Sequence, residues 1–201
     1  HNLILQLGLQ TQGLTPVIKP QSEKLAPHEV NLFILSPPDM PTALLGKRID
    51  AFIVAEPFNA LAEIKFNARI MRFSGDIWKN HPCCVIVANE NMIRQNPVMM
   101  QKAMNAIVRA QAWCQKNPKE TAHLLSRDGE GYLPVPETVL AKVFVPPAHA
   151  ELVHPHWDVA RIGFQPFPFP SATRFIVEQM KQTRVEGNTD FLRSLDAGLA
   201  T

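Results

Sequence analysis

One pattern occurs twice early in the chain: an apolar run, then a polar residue, a proline and a helical segment. Residues 30–35 precede Ser36-Pro37-Pro38-Asp39, and residues 50–55 precede Glu56-Pro57. Nearly continuous apolar runs of this length indicate strands buried on both faces, as in a parallel sheet. A polar residue followed by an early proline favours the start of a helix. The alternation over residues 29–88 therefore predicts an α/β fold with a largely parallel sheet.

The rest of the chain extends this pattern and then changes character. Two more strands are predicted at 69–73 and 83–88, and the segment at 15–27 is predicted to be a loop. After Asn89 the patterns are helical, and the proline-rich segment 146–170 is predicted to wrap over the surface. Helices are predicted from the amino terminus to a stop at Gly13, and at 36–45, 57–65, 97–116, from 118, at 136–145 and at 171–183.

Charge and hydropathy exclude two classes of function. The 201 residues carry 20 basic and 18 acidic side chains, for a net charge of +2. This balance leaves no basic surplus for nucleic acid and no polybasic patch for a membrane surface. The longest apolar runs have about six residues, whereas a membrane-spanning helix needs roughly 18 or more. We therefore expect neither a nucleic-acid partner nor direct insertion into a bilayer.

The strand-to-helix turns are the first candidate site. In open α/β sheets, ligands bind beyond the carboxyl ends of the strands. The turns that lie there hold Pro38, Asp39 and Met40 in one case and Glu56, Pro57 and Phe58 in the other. Helix starts offer unpaired N–H groups and a positive dipole end, and the opening helix at His1 adds a third start. Convergent starts would bind an anion; the alternative is that these residues only begin their helices.

A second candidate is the loop over residues 75–82, between two predicted strands. Trp78 could wall a pocket and Lys79 could pair with an anion as a point charge. The alternative is an exposed loop whose Trp78 packs into the core. Both alternatives remain open on the residues alone.

Several segments together resemble a known family. They are His1-Asn2-Leu3-Ile4-Leu5, Ser36 to Met40, Gly46 to Phe52, Glu56 to Asn59, Gly75 to Pro82, Asn96-Pro97, Ala110 to Trp113 and Phe164 to Thr173. The chain is similar to the solute-binding proteins of ABC importers in the nitrate, sulfonate and taurine class. The loop from Trp78 to Pro82 narrows the resemblance towards the nitrate-binding branch.

The resemblance implies a type II periplasmic-binding-protein fold, in which two lobes close on a ligand. By analogy, residues 1–84 would form an α/β ligand-binding lobe. Residues 85–201 would supply the crossover strand and the C-terminal helices of the other lobe, whose sheet is missing. The resemblance thus implies a fragment that lacks its amino-terminal half, with any signal peptide removed with it.

The resemblance also implies ligands and partners. His1 sits where nitrate-type members place a ligand-contacting histidine, and Lys79 falls at or near their anion-contacting lysine. Bicarbonate-binding relatives replace that lysine with an acidic residue and use a metal ion, so Lys79 favours a metal-free anion site without a cofactor. The expected partners are a small anion or sulfonate and ABC permease subunits. The expected location is periplasmic or extracytoplasmic, at the membrane only through the permease or a lipid anchor.

Other functions remain possible on the residues. Relatives that bind a thiamine-precursor pyrimidine or another small aromatic would use Glu56 as an acceptor, with Phe58 and Trp78 for stacking. A thiol enzyme would need His81 as the base for Cys83, although adjacent Cys83 and Cys84 in a strand would face opposite sides and not pair. A metal enzyme could use histidine and carboxylate ligands in the proline-rich segment. The candidate ligands are His149, His154, His156 and Asp158.

Overall fold

The structure is a computed structural model that describes residues 1–146, 161–164, 166 and 169–195. The chain divides into two compact units. The first comprises His1–Ala55, Arg72–His81 and Pro168–Thr201, and the second comprises Glu56–Met71 and Pro82–Phe167.

The first unit combines a short parallel sheet with helices. Its elements are α1 (Asn2–Thr11), β1 (Thr15–Val17), β2 (Glu29–Asn31), a 3-10 turn (Pro37–Asp39), α2 (Met40–Leu45), α4 (Ser74–Ile77), α9 (Pro170–Met180) and α10 (Phe191–Ser194). Strand β1 pairs with β2 in parallel, with Pro16 opposite Val30. Helix α1 packs against β1, α4 and α9.

The second unit is helical in its described residues. Helix α8 packs against both α3 and α7, and α6 contacts α5 and α7. The elements are α3 (Phe58–Phe66), α5 (Glu90–Gln95), α6 (Pro97–Lys116), α7 (Pro118–Leu125) and α8 (Glu137–Phe144).

Helix boundaries largely follow the positions of proline and glycine in the sequence. Proline occupies the first turn of the 3-10 turn, α2, α6, α7 and α9, as its fixed φ and missing N–H allow. Gly13 adopts a φ of 72° just beyond α1, a conformation that costs other residues more. These helix predictions are confirmed within a few residues at each end.

The predicted strands are largely wrong for the described residues. Only the start of the first run, at Glu29–Asn31, is a strand, and its partner β1 lies in the segment predicted to be a loop. The runs at 50–55, 69–73 and 83–88 lie outside regular structure. A strand needs a neighbour for its backbone hydrogen bonds, and in the described part of the chain these runs have none. The run at 83–88 is correspondingly open, with Val87 87% exposed, whereas Val54 in the run at 50–55 is buried without being in a strand. In its described residues the structure is thus α/β only in a coarse sense, with many helices and one short sheet.

The core of the second unit lies between α3, α7 and α8. Amphipathic α8 buries the face at Val139, Leu140, Val143 and Phe144, spaced three and four residues apart. Ala60 of α3 and Ala122 of α7 are small enough for close helix approach. Phe164 stacks on Phe144 with ring centroids 5.9 Å apart. This core fixes α3, whose start carries three of the candidate site residues.

Helix α6 is long but has no buried side chain. Apolar residues at helical spacing along α6 are only half-buried at Met100, Ile107 and Cys114, while Met104 and Ala110 are exposed. None of the helices in the described residues is both long and apolar enough to cross a membrane.

Candidate functional site

Helix α1 is anchored by a buried amide. The Gln6 side chain is 1% exposed and lies on the same helix face as Leu3. Its Nε2 donates to the Arg184 carbonyl at 2.7 Å, and its Oε1 accepts from the Arg184 N–H at 2.8 Å. Asn2 Nδ2 donates to the same carbonyl at 3.1 Å. Neutral hydrogen bonds therefore hold the first half of α1 to the segment that follows α9.

The start of α1 has an electrostatic character suited to an anion. Exposed His1 is the N-cap residue, and the first turn contains no acidic residue. The first N–H groups of a helix lack partners within the helix, and the dipole places partial positive charge there. The positive end of α1 is therefore not offset by a carboxylate in its own first turn.

The loop that holds Trp78 lies beside α1. Helix α4 packs against α1, where a Cβ on Gly8 would lie 3.7 Å from Ile77 Cδ1. Half-buried Trp78 follows α4 and meets Phe175 of α9 edge to face, with ring centroids 5.1 Å apart. This contact orients the indole ring against another partly exposed ring and leaves part of the indole accessible.

The residues after Trp78 form a tight turn. His81 N–H donates to the Trp78 carbonyl at 3.2 Å, and His81 Nδ1 lies 3.0 Å from the same oxygen. Asn80 adopts a φ of 56°, a conformation that asparagine tolerates better than most residues. Burial lowers the pKa of His81, which keeps the ring neutral near pH 7. Lys79 is exposed and is the cation that this turn presents.

The turn before α2 carries its own carboxylate. Ser36 Oγ donates to Asp39 Oδ2, and Asp39 is the N-cap residue of α2. Pro38 and Asp39 are exposed and Met40 is half-buried. A carboxylate at this position already provides the negative charge that a helix start favours. An external anion there would meet repulsion from Asp39.

The turn before α3 is also occupied by a carboxylate of the chain. Glu56 Oε2 accepts from the Ala60 N–H at 3.0 Å, so it caps α3. Glu56 Oε1 lies 3.2 Å from Arg161 Nη1, and the two side chains are 6% and 12% exposed. The same Arg161 nitrogen contacts Glu63, which lies 3.6 Å from Lys142 Nζ. Pro57 is buried and Phe58 half-buried. Glu56 is thus committed to holding its own helix.

The nine predicted site residues fall in both units. Six of them belong to the first unit: His1, Pro38, Asp39, Met40, Trp78 and Lys79. Within that unit, α1 packs against α4, the helix that precedes Trp78. Glu56, Pro57 and Phe58 belong to the second unit. A single site made from all nine residues stays a prediction.

A shallow depression in the second unit involves none of these nine residues. It encloses about 400 Å³ and is lined by Trp113, Lys119, Glu120, His123, Leu124 and Glu137. His123 Nδ1 lies 2.7 Å from Glu137 Oε2, and this hydrogen bond raises the pKa of His123. Cations and carboxylates alternate around the depression, so its charge does not select an anion.

Two enzymatic alternatives gain no support from the described residues. Partial desolvation raises the pKa of the Cys83 thiol to about 11, which leaves little of the thiolate that nucleophilic catalysis needs. No three His, Cys, Asp or Glu side chains in the described ranges are grouped to hold a metal. The predicted metal candidates His149, His154, His156 and Asp158 lie outside the described residues.

Two residues that position the helix starts were missed from the sequence. Gln6 carried a usable signal, because a polar residue on an apolar helix face is buried only with hydrogen-bond partners. Arg161 carried none, because it lies 105 residues from Glu56 in the sequence. Its role depends on tertiary packing.

The chain is similar in sequence to a known family and to several known proteins. The NMT1-like family matches residues 1–126. The nitrate/nitrite binding protein NrtA of Nostoc sp. is 30% identical over 131 residues, which are 63% of this chain and 27% of that protein. NrtA of Synechococcus elongatus is 25% identical over 130 residues, which are 64% of this chain and 27% of that protein.

A third relative is the nitrate import ATP-binding protein NrtC of Synechocystis sp. It is 27% identical over 114 residues, which are 57% of this chain and 16% of that protein. No solved structure matches the chain. The chain thus spans about a quarter of the length of the binding proteins it matches. The family match and the two binding proteins confirm the resemblance to ABC-importer solute-binding proteins of the nitrate class, and the chain belongs to the NMT1-like family.

Proposed function

We propose that this chain is part of the solute-binding component of an ABC importer for a small anion of the nitrate type. The observation that carries the proposal is the start of α1, where His1 caps a helix whose first turn has no carboxylate. The Trp78–Lys79 loop beside α1 adds an aromatic wall and a cation. An anion at this place would be bound by helix N–H groups, the helix dipole and Lys79.

The other two helix starts take supporting roles in this proposal. Asp39 and Glu56 fill the starts of α2 and α3 with negative charge. The anion is therefore bound through α1, while Pro38 and Met40 of the same unit contribute shape and exclude water. Nitrate is preferred over taurine and other sulfonates because the similar binding proteins are named for nitrate and nitrite.

The pyrimidine alternative requires Glu56 to accept from a ligand N–H. Both of its oxygens already have partners, Ala60 N–H and Arg161. A ligand would have to displace one of these partners from the Glu56 side chain, which is only 6% exposed. This cost disfavours a pyrimidine ligand.

We further propose that the complete protein has two lobes of the type II periplasmic-binding-protein kind, located outside the cytoplasm. In this proposal residues 1–84 belong to one lobe and 85–201 to the other, and closure on the ligand permits docking to the permease. The matched share of the binding proteins, 27% of their length, supports a larger whole. The exposed side chains of Val85, Ile86 and Val87 support it as well, because soluble proteins rarely leave a contiguous apolar patch open.

Calorimetric titration tests the proposed ligand class. The complete protein would be titrated with nitrate, nitrite, bicarbonate, taurine, an alkanesulfonate and a thiamine-precursor pyrimidine. Nitrate is expected to bind with a sub-millimolar Kd. Replacing Lys79 by alanine should weaken nitrate binding about tenfold, or about 1.4 kcal/mol.

The matched control is Lys24→Ala, since Lys24 is an exposed lysine of the same unit. This variant should bind nitrate as the parent does. Equal losses from both variants would mean that net charge, and not the Trp78–Lys79 loop, governs affinity. Binding of the pyrimidine alone would sink the anion proposal.

A further inference from the structure

The cysteine pair Cys83–Cys84 has a geometry that its sequence context did not predict. In a strand, adjacent side chains would face opposite sides of a sheet. The segment 83–88 lies outside regular structure, and the two Sγ atoms are 3.7 Å apart. Both residues are exposed. Two thiols are therefore presented together at the surface, and the proposed transport function uses neither.

A disulfide is a poor use of this pair. Adjacent Cα atoms across a trans peptide are about 3.8 Å apart, whereas disulfide-bonded cysteines usually have Cα atoms at least about 4.4 Å apart. The sulfurs would also have to close from 3.7 Å to a bond of about 2.05 Å. A bridge made under such strain is easily reduced.

The same separation suits one soft centre bound to both sulfurs. Bonds of about 2.3 Å, as for zinc and sulfur, from two sulfurs 3.7 Å apart enclose an angle of about 107°. That angle fits a tetrahedral centre and is slightly wider than a pyramidal trivalent centre adopts, so the sulfurs would need to approach each other only slightly. In the described part of the chain, no set of three His, Cys, Asp or Glu side chains could complete a metal site. The pair therefore favours a centre that takes only two ligands from the protein.

We infer that Cys83 and Cys84 form a two-thiol binding site for a soft, thiophilic centre with two exchangeable positions, such as a mono-organic trivalent arsenical. Soft sulfur ligands select soft centres. With an arsenical oxide R–As=O, two As–S bonds form, the arsenic–oxygen bond is lost, and both thiol protons leave with that oxygen as water. Arsenic stays trivalent, so the step needs no oxidant or reductant.

Ring closure strengthens the binding. Once one sulfur is attached, the second attacks within the same molecule at a high effective concentration. A lone thiol gains no such advantage. The pair should therefore retain the arsenical against an excess of a monothiol and release it to a small dithiol.

The test uses phenylarsine oxide and the whole chain. Intact mass spectrometry after a wash with excess monothiol should show one phenylarsenic group per chain, and a thiol titration should lose two of the three thiols. Cys83→Ser and Cys84→Ser should each lower retention at least tenfold. Cys114→Ser, the half-buried cysteine on α6, is the matched control and should retain the group.

Each outcome bears on the site. Full retention by either Cys83→Ser or Cys84→Ser would overturn the inference, because one thiol would then suffice. Loss of both thiols without arsenic would also overturn it in favour of a disulfide. Circular dichroism of the variants checks that a changed fold does not cause the loss, and exposed serine substitutions should leave it unchanged.

Discussion

The starts of α1 and α3 are held in place by opposite means. A neutral amide, Gln6, fixes α1 through the backbone of Arg184. A buried carboxylate, Glu56, caps α3 and pairs with Arg161. This difference determines which helix start can accept an external anion. The chain has already placed a negative charge at α3, whereas α1 is anchored through a neutral amide and has no acidic residue in its first turn.

The largest expected loss of stability follows from replacing Arg161, the buried partner of Glu56. Arg161→Ala would leave Glu56 and Glu63 without their shared cation in a setting where little water reaches them. Breaking a buried pair from one side costs about 3–5 kcal/mol of the free energy of unfolding. Urea denaturation followed by circular dichroism would measure the change.

Arg94→Ala is the control for that experiment. Arg94 pairs with Glu90 across one turn of α5, and its side chain is 72% exposed. Exposed pairs of this kind contribute about 0.3–0.5 kcal/mol. Equal losses from the two arginine variants would show that the Arg161 pair is not sheltered from water.

The next largest loss of stability is expected when Gln6, the neutral anchor of α1, is replaced. Gln6→Leu would keep an apolar side chain of similar length but leave the Arg184 N–H and carbonyl without their partner. An unsatisfied buried polar group costs about 1–3 kcal/mol. Denaturation curves of Gln6→Leu and of Gln10→Leu, an exposed position near the end of α1, would separate this loss from a general change in the helix. A neutral outcome for Gln6→Leu would show that water replaces the amide.

Nitrate affinity is a second way to test the role of Gln6. Because the amide positions the start of α1, Gln6→Leu should weaken nitrate binding by more than Gln10→Leu does. The effect should appear at temperatures where both variants are folded. Unchanged affinity in Gln6→Leu would separate the proposed anion site from the start of α1.

A smaller effect is expected when only the charge at α3 is removed. Glu56→Gln keeps an oxygen that can accept from the Ala60 N–H, and Arg161 keeps its contact with Glu63. The lost charge assistance should cost about 1 kcal/mol, the difference between charged and neutral hydrogen bonds. Thermal unfolding of Glu56→Gln beside Glu56→Ala, which also loses the cap, would measure it. A cost as large in Glu56→Gln as in Glu56→Ala would show that charge, not capping, is what α3 needs.

Local signals predicted the helices, and long-range contacts explain what they missed. Pro97 and Pro118 begin helices because the first helical position does not need an N–H, a rule that operates within one turn. The apolar run at 83–88 has the composition of a strand, but a strand also requires a neighbour, which composition cannot supply. The capping role of Glu56 was foreseeable from its place before α3. Its pairing with Arg161 was not, because no local pattern links residues 105 positions apart.

The smallest effects concern two histidines whose surroundings repeat the contrast between charged and neutral settings. The Glu137 carboxylate raises the pKa of exposed His123, whereas burial lowers the pKa of His81 beside Trp78. A raised pKa gives stability that is complete below the unfolded value of about 6.5 and is lost as pH rises through the folded value. A lowered pKa gives stability that is present above about 6.5 and is lost as pH falls through the folded value.

In an NMR titration of the ring protons, His123 should therefore titrate at a higher pH than His81. Glu137→Gln should lower the pKa of His123 and leave that of His81 in place, since the first is set by a charge and the second by burial. If both values moved together, a change in the protein's overall charge would explain them better than these two local environments.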